Sequence, residues 1–185
     1  MIVRITLEIS IFKNNLSIGT GNSYGFYSIE PWGKYVNIMY TEYATQKKTI
    51  LCSNAECNHD NTSCVGYDDE TSNVPRILAL DDKILFIYPG NPYASIECDD
   101  ITLARVDVAD IDGSNRRNIH TFDKEIFLNT DVVAYDEDNL YIMVGAYKYS
   151  GEVYNRTIQL DQLSLSSGKI IAIKNLMMRI KIHFF

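Results

Sequence analysis

Two stretches of this 185-residue chain repeat one another, and the repeat limits the fold more than any other feature. Ile77-Leu-Ala-Leu-Asp-Asp-Lys-Ile-Leu-Phe-Ile87 aligns with Val132-Val-Ala-Tyr-Asp-Glu-Asp-Asn-Leu-Tyr-Ile142, setting Ala79 on Ala134 and Asp81 on Asp136. Each is an apolar or alternating run, an acidic turn and a second run, the pattern of a strand pair. The segments C-terminal to each stretch recur too. Leu103–Asp107, the turn Asp112-Gly-Ser-Asn115 and Asn118–Phe122 match Thr157–Asp161, Ser166-Ser-Gly-Lys169 and Ile170–Ile173. The offset of about 55 residues lies near the upper end of propeller blade lengths. The chain is therefore expected to be all-β, a β-propeller-like array of four-stranded antiparallel blades. About three blades are expected: a partial one at 23–74, then 75–125 and 126–175. An N-terminal strand and turn (1–22) precede them, and 176–185 begins a further blade or forms a frayed tail. Closed propellers use about four to eight blades, so the chain is expected to be an incomplete ring, a fragment of a longer protein. The alternative is a β-sandwich, which short strands at regular spacing serve as well.

Thirteen tyrosines favour strands over helices. A formal charge of −7 argues against nucleic acid, whose binding needs clustered Lys and Arg. Lys47-Lys48 and Arg116-Arg117 are isolated pairs, expected at solvated hairpin tips. No run has the length of a transmembrane helix. Arg4 and Glu8 interrupt any signal-peptide core, so the chain is expected to be cytosolic or to lack its true start.

The candidate site is a dense cluster, Cys52, Cys57, His59 and Cys64, spaced C-x4-C-x-H-x4-C. Thiolates and imidazole are zinc ligands, and four protein ligands close a structural site. The single residue between Cys57 and His59 is shorter than the familiar spacings. A disulfide staple is the rival: Cys57 with Cys64, leaving Cys52 free or joined to Cys98, and sequence alone does not choose the connectivity. Buried free thiols beside a solvated histidine are the third possibility. A catalytic thiol would need an orienting group and an oxyanion hole, and neither is identifiable. Placed at the junction of a strand and an irregular loop, the cluster is expected to staple the first blade to the second.

The run Ile38–His59 (IMYTEYATQKKTILCSNAECNH) resembles the entry segment of an uncharacterised bacterial β-propeller-like family, a domain of unknown function with the pattern YxDYxTxKxxxLCxKPxCxHxxxxCxA. Ala55 stands where that family carries proline. The resemblance implies an extracytoplasmic protein, exported or lipoprotein-like, and it implies no reaction.

Asp110-Ile-Asp-Gly-Ser-Asn115 invites a calcium reading but lacks the terminal glutamate of an EF-hand loop; an Asp-Gly hairpin tip explains it. Asp81-Asp82 and Asp136-Glu-Asp138 could pair as glycosidase carboxylates, though equivalent turns of a repeat are ordinarily solvated. His120 and His183 have no sequence neighbours to act with. Asn15, Asn61 and Asn155 open glycosylation sequons. Trp32 with Tyr35, and Tyr147 with Tyr149, suit carbohydrate or peptide contact or inter-blade packing. The expected function is non-enzymatic: binding of a protein, peptide or glycan at one face of the ring. The alternative is a glycan-active hydrolase whose catalytic carboxylates lie mainly in blades outside this chain.

Overall fold

The computed structural model describes residues 10–11, 19–69, 73–91, 102–150 and 153–183, with backbone alone at 10–11, 32, 148–150, 153–155 and 176–183. No helix occurs among the described residues. The strands form three antiparallel sheets, none closed into a barrel. The first contains β2 (Gly19–Gly21), β3 (Gly25–Trp32), β4 (Tyr35–Glu42) and β5 (Lys48–Ile50), with β6 (Tyr67–Asp68) also paired to β4. The second is β7 (Arg76–Ala79), β8 (Lys83–Tyr88), β9 (Arg105–Asp110) and β10 (Arg117–Thr121). The third is β11 (Ile126–Tyr135), β12 (Asn139–Ser150), β13 (Val153–Ser164) and β14 (Ile170–His183), with β1 (Ser10–Ile11) paired to β11. β14 thus stays in the third sheet as far as His183, and Tyr67–Asp68, beyond the cysteine–histidine cluster, supply β6.

The apolar run of β8 explains the layering. Successive side chains of a strand point to opposite faces, and Ile84 to Tyr88 are all buried. Ile84, Phe86 and Tyr88, with Ile77 and Ala79, join Tyr27, Ile38 and Leu51 in a core shared with the first sheet. Leu85 and Ile87, with Leu78, Val106 and Val108, join Val133, Leu140, Ile142 and Leu163 in a core shared with the third. The second sheet is therefore covered on both faces. Apolar burial stabilises by about 25 cal/mol per Å², and these two cores hold the largest groups of buried apolar side chains among the described residues.

The turns give the structural alignment of the units. The first hairpins are closed by Asn22 N–H to Gly25 O (3.0 Å), Leu80 N–H to Lys83 O (2.9 Å) and Asp136 N–H to Asn139 O (3.0 Å). Ala79, which pairs with Ile84, thus corresponds to Tyr135, which pairs with Leu140. The sequence alignment of Ala79 with Ala134 is off by one residue. A one-residue slip exchanges the two faces of a strand, which is why the distinction matters.

Polar groups complete the turns. Asp136 Oδ1 accepts from the N–H groups of Asp138 and Asn139 (2.9 and 2.8 Å). Asn22 Oδ1 does the same for Tyr24 and Gly25 (3.0 and 3.2 Å). Leu80 holds this place in the second sheet, and there the neighbouring turn compensates: Asn22 Nδ2 donates to Leu80 O at 2.8 Å, and Ser23 Oγ to Asp81 at 2.9 Å. Buried Thr20 bridges the same two sheets, donating to Ile77 O (3.2 Å) and accepting from Ala79 N–H (2.8 Å).

One buried acid repeats with an altered setting. Asp107, opposite Phe86 and Asn118, corresponds to Asp161, opposite Ile142 and Ala172. Asp107 meets two arginines and an amide. Asp161 is 3% exposed and has only Gln159 Nε2 on Oδ2 (2.9 Å), while its Oδ1 has no partner among the described residues. Burial raises the Asp161 pKa. A carboxyl whose folded pKa lies above its unfolded one imposes no penalty at low pH and an increasing one as pH rises through the folded value. Asp161→Asn is therefore expected to be near neutral at about pH 3 and to stabilise by on the order of 1 kcal/mol at about pH 7. Urea unfolding at both pH values checks this; an equal effect at the two would remove the electrostatic explanation.

Candidate metal centre

After β5 the chain buries Leu51, whose N–H donates to Ile38 O at 2.8 Å, and then leaves the sheet through two turns of the same design. In the first, Asn54 O accepts from Cys57 N–H (3.2 Å) while Asn54 Oδ1 accepts from Glu56 N–H (3.0 Å). In the second, Asn61 O accepts from Cys64 N–H (3.0 Å) while Asn61 Oδ1 accepts from Ser63 N–H (3.0 Å). Asparagine suits this use because its side chain bonds the backbone two residues on. Each Asn-x-x-Cys turn delivers a thiol at its fourth position. Between them His59 takes a left-handed conformation (φ 56°) that histidine tolerates better than most residues.

The result is convergence. The three Sγ atoms and one imidazole nitrogen lie within 4.8 Å of one another, and His59 Nδ1 is 3.2 Å from Cys64 Sγ. Tetrahedral zinc with bonds of about 2.3 Å to sulfur sets sulfur–sulfur edges of about 3.8 Å, so small side-chain adjustments would close the set. The cysteines are free thiols, not joined as Cys57–Cys64 or otherwise among themselves, and Cys98 lies outside the described residues. The backbone also prepares the sulfurs. His59 N–H points to Cys57 Sγ at 3.4 Å, and that bond lowers the Cys57 pKa. Cys64 is 2% exposed, and burial pushes its thiol up to about 12 against a bond from the Gly66 backbone. Backbone donors to ligating sulfur are the outer-shell support that metal sites use.

The loop lies where the first two sheets meet. Gly113, at the Asp-Gly tip between β9 and β10, has φ 83°, and a Cβ there would sit 2.9 Å from Val65 and 3.0 Å from Leu51. Tyr27 Oη donates to Ile111 O at 3.0 Å across the same seam. Beyond Cys64, β6 carries Asp68 into a largely buried charge network. Arg116 lies 3.4 Å from Asp68 and 3.3 Å from Asp107, and also meets the Tyr88 hydroxyl, which is itself bonded to Asp68. Arg105 pairs with Asp107 at 3.6 Å and lies 3.6 Å over the Tyr88 ring. Burial pulls the Arg116 pKa down, and Tyr88, Asp107 and Asp68 together outweigh it and leave it raised. Arg116 is thus no solvated hairpin tip, and spacing alone gave no sign of its partners.

The other candidate groups stay apart from this site. Asp112 accepts from Ser114 N–H and Oγ, and Asp110 accepts from Asn115 Nδ2, so the Asp110–Asn115 carboxylates serve their own turn. Asp81 accepts from Ser23, and Asp136 serves its turn and Tyr141. Among the described residues only the cysteine–histidine set groups three or more potential metal ligands. His120 bonds Gly168 O (3.0 Å) and meets Phe122 edge to face. Tyr35 packs on Tyr67 and Tyr147 on Phe127. Cys98, Asn15 and the side chains of Trp32, Tyr149, Asn155 and His183 lie outside what the structure describes. Asn61, first residue of a sequon, has its side chain engaged in the turn.

No family model, curated protein or solved structure matches the chain.

Proposed function

We propose that the chain is a propeller-like interaction module in which Cys52, Cys57, His59 and Cys64 hold one structural zinc. The observation that carries the metal reading is the convergence of four neutral-to-anionic ligands within 4.8 Å, supported by backbone N–H groups. All four positions are protein ligands, the composition of a structural rather than a catalytic zinc site. The propeller-like reading is supported by the stepwise layering, in which each sheet buries one face against its predecessor and the middle sheet is covered on both. Zinc would fasten the 51–68 loop over the seam between the first two sheets. By the resemblance of Ile38–His59 the protein is extracytoplasmic; the interaction-module reading gives it a protein, peptide or glycan ligand.

Native mass spectrometry and elemental analysis test the metal. The expected result is one zinc per chain, and its removal by chelator should raise amide exchange in 51–68 while 76–88 stays protected. A chain that keeps three free thiols and takes up no zinc would overturn the assignment.

A further inference from the structure

A cleft of about 500 Å³ opens between the metal loop and the second sheet, a size common among small-molecule sites. Exposed Thr62, Ser63 and Asp69 line it together with half-buried Tyr67, Arg105 and Arg116. Most small-ligand pockets are lined mainly by apolar groups; this one is not.

Most of the charged groups are already paired. Arg116 is committed to Asp68 and Asp107, and Arg105 to Asp107. An anion would compete with fixed carboxylates for the guanidiniums, and a cation with fixed guanidiniums for Asp68 and Asp107; exposed Asp69 is the lining carboxylate outside these pairs. What the wall offers is donors and acceptors side by side, already oriented and partly desolvated. Guanidinium N–H only donates and carboxylate oxygen only accepts, whereas a hydroxyl does both. A ligand with several adjacent hydroxyls can satisfy such a wall without separating its ion pairs. Tyr67 adds an apolar ring to the lining, braced by Tyr35 with ring centres 4.8 Å apart.

We propose that this cleft binds a neutral, polyhydroxylated ligand of mono- or disaccharide size. The proposal rests on the interaction-module reading, and it assigns that module a site and a ligand class. Exposed Asp69 and Asn115 would contact the ligand's outer hydroxyls, and the guanidiniums its inner ones.

The test is an amide-resolved NMR titration of the zinc-supplemented chain with the methyl glycosides of D-glucose, D-galactose, D-mannose and N-acetyl-D-glucosamine. At least one is expected to shift the amides of Ser63, Asp69 and Asn115 saturably, with a millimolar or tighter Kd. Loss of a hydrogen bond to a charged group corresponds to about tenfold or more in affinity. Asp69→Ala and Arg105→Gln should each weaken binding by that factor with spectral dispersion unchanged. Asp69 is exposed, so its variant keeps the test independent of folding. If no glycoside shifts these amides, or if the shifts survive both variants, the proposal fails. Bound zinc and a dispersed spectrum without glycoside binding would sink this inference alone. A chain without zinc, with the 51–68 amides unstructured, would sink the module's metal reading first.

Discussion

Arg116→Met is expected to cost roughly 3–5 kcal/mol, the cost of breaking a buried pair by removing one partner. The arginine is largely buried, and its loss leaves Asp68 without that cation while Asp107 keeps Arg105, 3.6 Å away, and the Asn118 amide. Methionine retains most of the side-chain volume but not the guanidinium carbon, which lies 4.2 Å over the Phe86 ring. The loss would therefore report the guanidinium, its ion pairs and its ring contact, rather than a large cavity. For a chain of this size it corresponds to a fall in Tm of about 6–20 °C. Asp68→Asn in the Arg116→Met background should recover part of the loss, because it removes a buried carboxylate charge that has lost the Arg116 guanidinium. Thermal unfolding of the single and double variants checks both statements. A single variant within about 1 kcal/mol of the parent would mean that the network does not hold the first sheet to the second.

Cys64→Ser is expected to have the other large effect. Cys64 is the buried member of the ligand set, and the chain passes from it through Gly66 into β6. A hydroxyl is a poor substitute for thiolate toward zinc, so retained metal should fall to background. Metal that binds only the folded chain stabilises it by mass action, about 2.7 kcal/mol when free metal is a hundred times Kd. The parent should therefore melt higher with zinc than with chelator, and the variant should melt at one temperature in both. Equal zinc-dependent stabilisation in parent and variant would show that the metal, if any, sits elsewhere.

The repeated strand pairs were legible because apolar runs bounded by acids report local geometry. The face each residue took was not. A gapless alignment placed Ala79 on Ala134, whereas turn closure makes Tyr135 its equivalent. The ligand quartet was visible from residue type and proximity, but its geometry rests on Asn54 and Asn61. The repeated Asn-x-x-Cys spacing was an available signal for those turns, obscured by the sequon at Asn61. Arg116 illustrates the other limit. Its partners come from β6, β8 and β9, and nothing local to Arg116-Arg117 distinguishes a buried cation from a solvated one. β6 is two residues long and acidic at its end, below the length at which strand patterns carry information.

Each sheet is drawn chiefly from consecutive strands, and this bears on how the protein is made. Pairing between neighbours in sequence closes short loops and favours fast formation. The cores between sheets, by contrast, assemble only when the next sheet exists. On the ribosome, where synthesis runs at about 5–20 residues per second, Tyr27, Ile38 and Leu51 emerge seconds before Ile84 and Phe86, the side chains that cover them. For that interval a tyrosine-rich apolar face is open to wrong partners. The cysteine–histidine loop is translated within the same interval, immediately after the face it borders.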